Sequence, residues 1–194
     1  VAVTIMPEKP VNIQPERIAE VMNEAEISFD ELHSGSQSVT GFTAESAIDV
    51  TATGALRAAL TENLNAQRAG FPLPPGAAGM IPSTTLERNV ILAVHRCCQL
   101  LHKLKVRRPW QMGISLLNIH EFTMIVGPGE RSDVFDRREL PTDPLIITDF
   151  ETVDTSENTA RFLKGTFDSI WREFGLGYSR NYDIEGNWNR NVMD

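Results

Sequence analysis

Apolar residues in the first third of the chain recur at two different spacings. Ile18, Val21, Met22 and Ala25 fall at i, i+3, i+4 and i+7, and Pro15 suits a first helical turn, so the pattern predicts a one-sided helix over 15–26. Ahead of it, residues 1–12 read as an extended segment ending at Lys9-Pro10. Residues 30–43 are small and polar, with Ser34, Gly35, Ser36, Gln37 and Ser38 in succession, and read as a flexible loop. Ile48, Val50 and Ala52 alternate as in a short strand, which leaves 44–52 ambiguous. Leu56, Ala59, Leu60 and Leu64 repeat at helical spacing and predict a helix over 53–69, stopped by Gly70. The prolines and glycines of 71–82 exclude regular structure there.

The broadest apolar stripe follows. Thr84-x-x-Glu87 reads as a capping box, and Leu86, Val90, Ala93, Val94, Cys97, Leu100, Leu101 and Leu104 continue it to Val106, so this helix belongs in a core. Pro109 ends it. Met112, Ile114 and Leu116, then Phe122, Met124 and Val126, alternate as strands, joined either by a hairpin at 118–120 or as one bent strand. Gly127-Pro128-Gly129 stops the run, 130–144 is charged and irregular, and 145–150 is a third strand. Asp154, Thr155 and Ser156 offer N-cap oxygens to a last helix. Its stripe is Ala160, Leu163, Phe167, Ile170, Trp171 and Phe174, and Gly175 is its stop.

These elements predict an α/β (α+β) fold: a small sheet of about three or more strands packed by amphipathic helices, with a helical N-terminal part. The expected division is a helical N-terminal region over 1–82, containing the flexible loop 30–43, and an α/β core over 83–194 with a C-terminal aromatic tail.

Charge narrows the partners. The 194 residues carry 26 acidic and 18 basic side chains, a net charge of −8, which disfavours nucleic-acid binding by the chain alone. Cys97 and Cys98 are adjacent, poorly placed to bridge each other, and read as reduced thiols of a cytoplasmic protein. No apolar run reaches the roughly 20 residues of a membrane span, and the N-terminus lacks the order of a signal peptide. The chain opens on Val1 rather than Met, so a processed protein or a piece of a longer one is expected.

Three clusters are candidates for chemistry. His95, Cys98 and His102 share a helical face at i, i+3 and i+7 and have zinc-ligand chemistry, but one straight helix rarely supplies three ligands to a tetrahedral ion. The plainer reading makes Cys98 a small hydrophobe. Lys103, Lys105, Arg107 and Arg108 beside Trp110 form a basic-aromatic patch able to touch phosphates, or simply a solvated helix end. Tyr178, Arg180, Asn181, Tyr182 and Trp188 interleave polar and aromatic character, which suits either a ligand- or partner-binding surface or a tail folded back on the core. Asp143, Asp149, Glu151, Asp154 and Glu157 surround a strand end and a helix start, where loop solubility and capping account for them. Neither glycine-rich turn, at 127–129 or 175–177, matches a phosphate loop, and no spacing marks a catalytic set. No catalytic residue and no cofactor is therefore assigned.

The order of a strand pair (ISLLNIHEFTMIV), an acidic-apolar strand (LPTDPLIITDFE), an amphipathic helix (RFLKGTFDSIWREFG) and an aromatic-polar tail (LGYSRNYDIEGNW) resembles the C-terminal domain of bacterial AlbA-2, Schlafen-like DNA-binding or ATP-binding proteins, over about residues 110–190. PEKPVNIQPERIAEVM is similar to the linker after that group's first domain. The AlbA-type domain that carries the group's nucleic-acid and nucleotide chemistry is not found in this chain. The resemblance implies an accessory, interaction-type module of a larger bacterial system, regulatory or defensive. The expected function is non-catalytic assembly or regulation through a protein partner or a homo-oligomer. The alternatives are a nucleotide- or small-ligand-binding domain or enzyme using loop 143–157 and tail 178–188, and nucleic-acid contact through 103–110.

Overall fold

The computed structural model describes residues 1–25, 29–43, 46–60, 77–126, 145–149 and 158–189, the stretch 145–149 as backbone. The elements among them are β1 (Ala2–Pro7), α1 (Pro15–Asn23), β2 (Glu31–Ser34), β3 (Ser38–Phe42), β4 (Ser46–Thr51), β5 (Leu56–Leu60), β6 (Gly79–Pro82), α2 (Ser83–Lys103), β7 (Trp110–Leu116), β8 (Phe122–Ile125), β9 (Leu145–Asp149) and α3 (Thr159–Glu173). The class is α+β, as expected. The chain divides into two compact units that interleave in sequence. One holds Val1–Glu62, Leu92–Ser115 and Thr148–Thr155, and the other holds Asn63–Ile91, Leu116–Ile147 and Ser156–Asp194.

The first unit is built on a seven-stranded sheet in the order β2-β3-β4-β5-β1-β7-β9, with every pairing from β2 to β7 antiparallel. Its register follows from burial, because a slip of one residue would turn each apolar set outward. Val39, Val50, Leu56, Ile5 and Met112 lie opposite one another in succession, as do Gly41, Ile48, Ala58, Val3 and Ile114. All of these are buried. The opening segment thus becomes β1, an interior strand between β5 and β7.

Several expected elements differ. The helix over 53–69 is overturned where described: 56–60 is strand β5, while 61–69 lie outside the described residues. Leu56 and Leu60 are four apart, a separation that fits both the helical and the strand period. Gly54, at φ +83°, turns the chain between β4 and β5 in a conformation other residues rarely adopt. The flexible loop 30–43 is instead the β2–β3 hairpin, closed by the Gly35 N–H on the Ser38 carbonyl at 2.8 Å. Its alternation was hidden because an inward position is a glycine. A Cβ on Gly41 would lie 2.5 Å from the Phe29 ring and 2.9 Å from the Met22 methyl, so those side chains occupy its place in the core. The N-terminal part therefore carries one helix, α1, among five strands; α1 ends at Asn23, short of 26.

In 71–82, strand β6 replaces the irregular segment at 79–82 and pairs in parallel with β8. β7 and β8 belong to different sheets, so 110–126 is neither a hairpin nor one bent strand. α2 starts at Ser83, which places Thr84 inside the helix. α3 is capped by Asn158, whose side chain accepts the Arg161 N–H at 3.0 Å, in place of the expected caps at 154–156. Its apolar stripe is as expected, with Leu163, Phe167, Ile170 and Trp171 fully buried.

α2 and α3 end in the same motif. Val106 N–H bonds to Leu101 carbonyl and Lys105 N–H to His102 carbonyl, each at 2.9 Å. Leu176 N–H bonds to Trp171 carbonyl and Gly175 N–H to Arg172 carbonyl, again at 2.9 Å. The left-handed residue is Gly175 (φ +80°) in α3, the usual choice. In α2 it is Lys105 (φ +57°), where a side chain costs about 1–2 kcal/mol.

Candidate functional site

The second unit holds a buried carboxylate. Glu87 follows the helical spacing of Val90 and Val94, so it faces inward with the stripe of α2. It is 0% exposed. A lone buried carboxylate would cost several kcal/mol, so donors must surround it. They do. Oε1 accepts the Trp171 indole N–H from α3 at 2.8 Å and the Ser179 hydroxyl at 2.6 Å, and Oε2 accepts the Trp188 indole N–H at 3.0 Å. Burial pushes the Glu87 carboxyl above its ordinary range, against the opposing pull of Ser179, Asn181, Trp188 and Trp171.

The surrounding contacts hold the tail in the same way. Asp168 on α3 accepts the Ser179 N–H at 2.9 Å and the Lys164 ammonium at 2.7 Å. The Asn181 side-chain amide donates to the Ser83 hydroxyl at 3.4 Å. The Tyr182 hydroxyl donates to the Ala160 carbonyl at 2.6 Å, and its ring packs against Phe167. Burial, with the charges of Glu87 and Asp168, pushes the Tyr182 hydroxyl far up, so it remains a neutral donor.

Beyond this anchor the chain makes a small hairpin. Tyr182 and Trp188 form an antiparallel bridge, and Asn189 N–H bonds to Asn181 carbonyl at 2.8 Å. Asp183 braces the turn: its Oδ1 accepts the N–H groups of Glu185 at 2.9 Å and Asn187 at 2.8 Å. Those bonds hold its carboxyl below the usual range. Ile184 at the tip is fully exposed, and Tyr178 is 63% exposed.

The candidate tail residues therefore separate. Asn181 and Tyr182 are buried and Trp188 is half-buried, all turned to internal bonding, while Tyr178 and Arg180 lie at the surface. Glu87 and Ser179 were not singled out as site residues from the sequence. The capping-box reading absorbed Glu87, although its place on an apolar stripe is a legible signal of an inward carboxylate.

The basic patch lies in the first unit and also separates. Trp110 is 1% exposed and donates its indole N–H to the Arg107 carbonyl at 3.1 Å, so its ring is a core group. Arg108 places its guanidinium 5.2 Å from the centre of that ring. Lys103, Lys105, Arg107 and Arg108 are exposed, with the Lys103 ammonium on the Glu24 carbonyl at 3.2 Å. On α2, His95 and His102 are exposed while Cys98 is buried, and the His95 ring meets the Gln99 amide at 3.1 Å. Among the described residues no group of three His, Cys, Asp or Glu side chains is placed to hold a metal ion. Cys97 and Cys98 are free thiols, and burial pushes the Cys97 thiol far up. Of the acidic loop 143–157, residues 150–157 and 143–144 lie outside the described residues, and Asp149 is in β9. Among the described residues no helix is long and apolar enough to cross a membrane.

No protein-family model matches the chain, and no curated protein and no solved structure matches it.

Proposed function

We propose that this chain is a non-catalytic accessory or assembly module of a larger bacterial protein or complex, regulatory in role, acting through protein–protein contacts. The observation that carries the reading is the division of labour in the tail. Its carboxylate-binding groups, Trp188, Ser179 and Asn181, are consumed by the anchor at Glu87, while Tyr178 and Ile184 stand exposed on the segment that anchor holds still. A braced turn presenting an aromatic and an aliphatic side chain loses little conformational entropy on binding a partner. The same arrangement works against the enzyme reading, since a carboxylate closed off from solvent and saturated with donors has no room for a substrate.

The test is the mass in solution across a concentration series, by light scattering, for the wild type and for Tyr178→Ser/Ile184→Ser. A concentration-dependent oligomer that the double variant loses supports the reading. A strict monomer that also gains melting temperature with a nucleotide or metal would favour the ligand-binding alternative and sink it.

A further inference from the structure

We propose that the turn after α2 is a second, separate contact surface, which takes an acidic segment of a protein partner. Two observations in the first unit point to it. Lys103, Lys105, Arg107 and Arg108 are four exposed cations within six consecutive residues of a chain whose net charge is −8. Among the described residues, no ion pair involves Lys105 or Arg107. The second observation is Lys105 itself. The chain ends α3 with the same pair of backbone bonds and puts Gly175 at the left-handed position, but at the end of α2 it puts a lysine there, at φ +57°. A side chain in that conformation is destabilising, so Lys105 is explained by what its ammonium does. Completing the helix dipole is a weak reason, because His102 and Lys103 already stand in the last turn.

The chemistry favours carboxylates over a phosphate backbone. Trp110 is the aromatic of this patch, and it is buried with its N–H satisfied, so no ring is offered for a base to stack on. Arg108 is held against that ring by a cation–π contact, which limits its rotamers and presents a planar guanidinium suited to a bidentate carboxylate. Screening over about 8–10 Å at ordinary salt separates this patch from the rest of the acidic surface. The surface goes beyond the hairpin reading: Tyr178→Ser/Ile184→Ser tests that one and leaves these cations untouched.

The experiment measures fluorescence anisotropy of a labelled oligoglutamate peptide, and of a labelled single-stranded DNA of equal charge, against the full chain at two salt concentrations. Arg107→Glu/Arg108→Glu is expected to weaken peptide binding about tenfold or more, while the charge-matched control Arg57→Glu/Arg161→Glu changes it little. Lys105→Gly is the decisive variant. It should weaken the peptide about threefold and raise the melting temperature by about 2–4 °C, since the strain is relieved as the cation is lost. A fall in melting temperature in Lys105→Gly would show that the lysine serves the helix end, and would overturn the proposal. Absence of peptide binding, an equal loss in the control variant, or tighter binding of the DNA than of the peptide would each overturn it as well.

Discussion

The indole N–H of Trp171 donates to Glu87 Oε1 at 2.8 Å, joining residues 84 positions apart in the chain. Trp171 and Glu87 are both 0% exposed. With Trp188 on the other carboxylate oxygen, this pair converts the C-terminal tail from an appendage into part of the second unit.

Replacing Glu87 by Ala leaves two indole donors and one hydroxyl with no acceptor, which is expected to destabilise the fold by about 3–5 kcal/mol. Glu87→Gln keeps the volume but turns an amide N–H toward groups that are themselves donors, at an expected loss of about 1–3 kcal/mol. Urea denaturation of both variants measures the order. Equal stability of Glu87→Gln and wild type at neutral pH would mean that the group is already neutral there.

The pH dependence has a definite sign. Burial raises the Glu87 carboxyl above its ordinary value of 4.5, so the folded state binds this proton more tightly than the unfolded chain. The resulting stabilisation is complete below about pH 4.5 and is lost as pH rises through the folded value. The stability of wild type relative to Glu87→Gln should therefore fall as pH rises above 4.5, as read from denaturation midpoints across a pH series. A difference that stays flat or rises through that window contradicts the assignment.

Trp188→Phe keeps a ring but removes the bond to Oε2. A hydrogen bond to a charged acceptor contributes about 1.5–3 kcal/mol, and Trp188 is half-buried, so the lower end is expected. The loss should be local. Amide exchange at Tyr182 and Asn189 should speed up more than exchange in β1.

Asp183 braces the hairpin tip through backbone N–H groups, which lower its carboxyl pKa. Its contribution is present above its ordinary value of 3.8 and is lost as pH falls through the folded value. Asp183→Ala should accelerate amide exchange at Glu185 and Asn187 with little change in global melting temperature. Unchanged exchange at both would show that the bridge between Tyr182 and Trp188 orders the turn by itself.

Gly41 is where α1 comes closest to the sheet. A methyl there would meet Phe29 and Met22 at 2.5–2.9 Å, so Gly41→Ala is expected to lose about 1–3 kcal/mol, measured by urea denaturation. Met22→Ala combined with it should recover part of that loss by vacating space.

The sequence by itself determined the elements whose signal is local. The stripe Leu163, Phe167, Ile170 and Trp171 with its glycine stop specified α3, and the alternation Trp110, Met112, Ile114, Leu116 specified β7. The stripe of α2 was legible for the same reason: burial on one face leaves a period in the chain. Tertiary structure decided what had no period of its own. At 30–43 a glycine stood at an inward position, filled by side chains from elsewhere. At 56–60 two leucines four apart satisfied both periods, and pairing with β1 and β4 selected the strand. The role of Glu87 was likewise settled only in three dimensions. Four residues into α2 it reads as a cap, yet its partners lie 84, 92 and 101 positions away, and no local pattern specifies donors brought together over such separations.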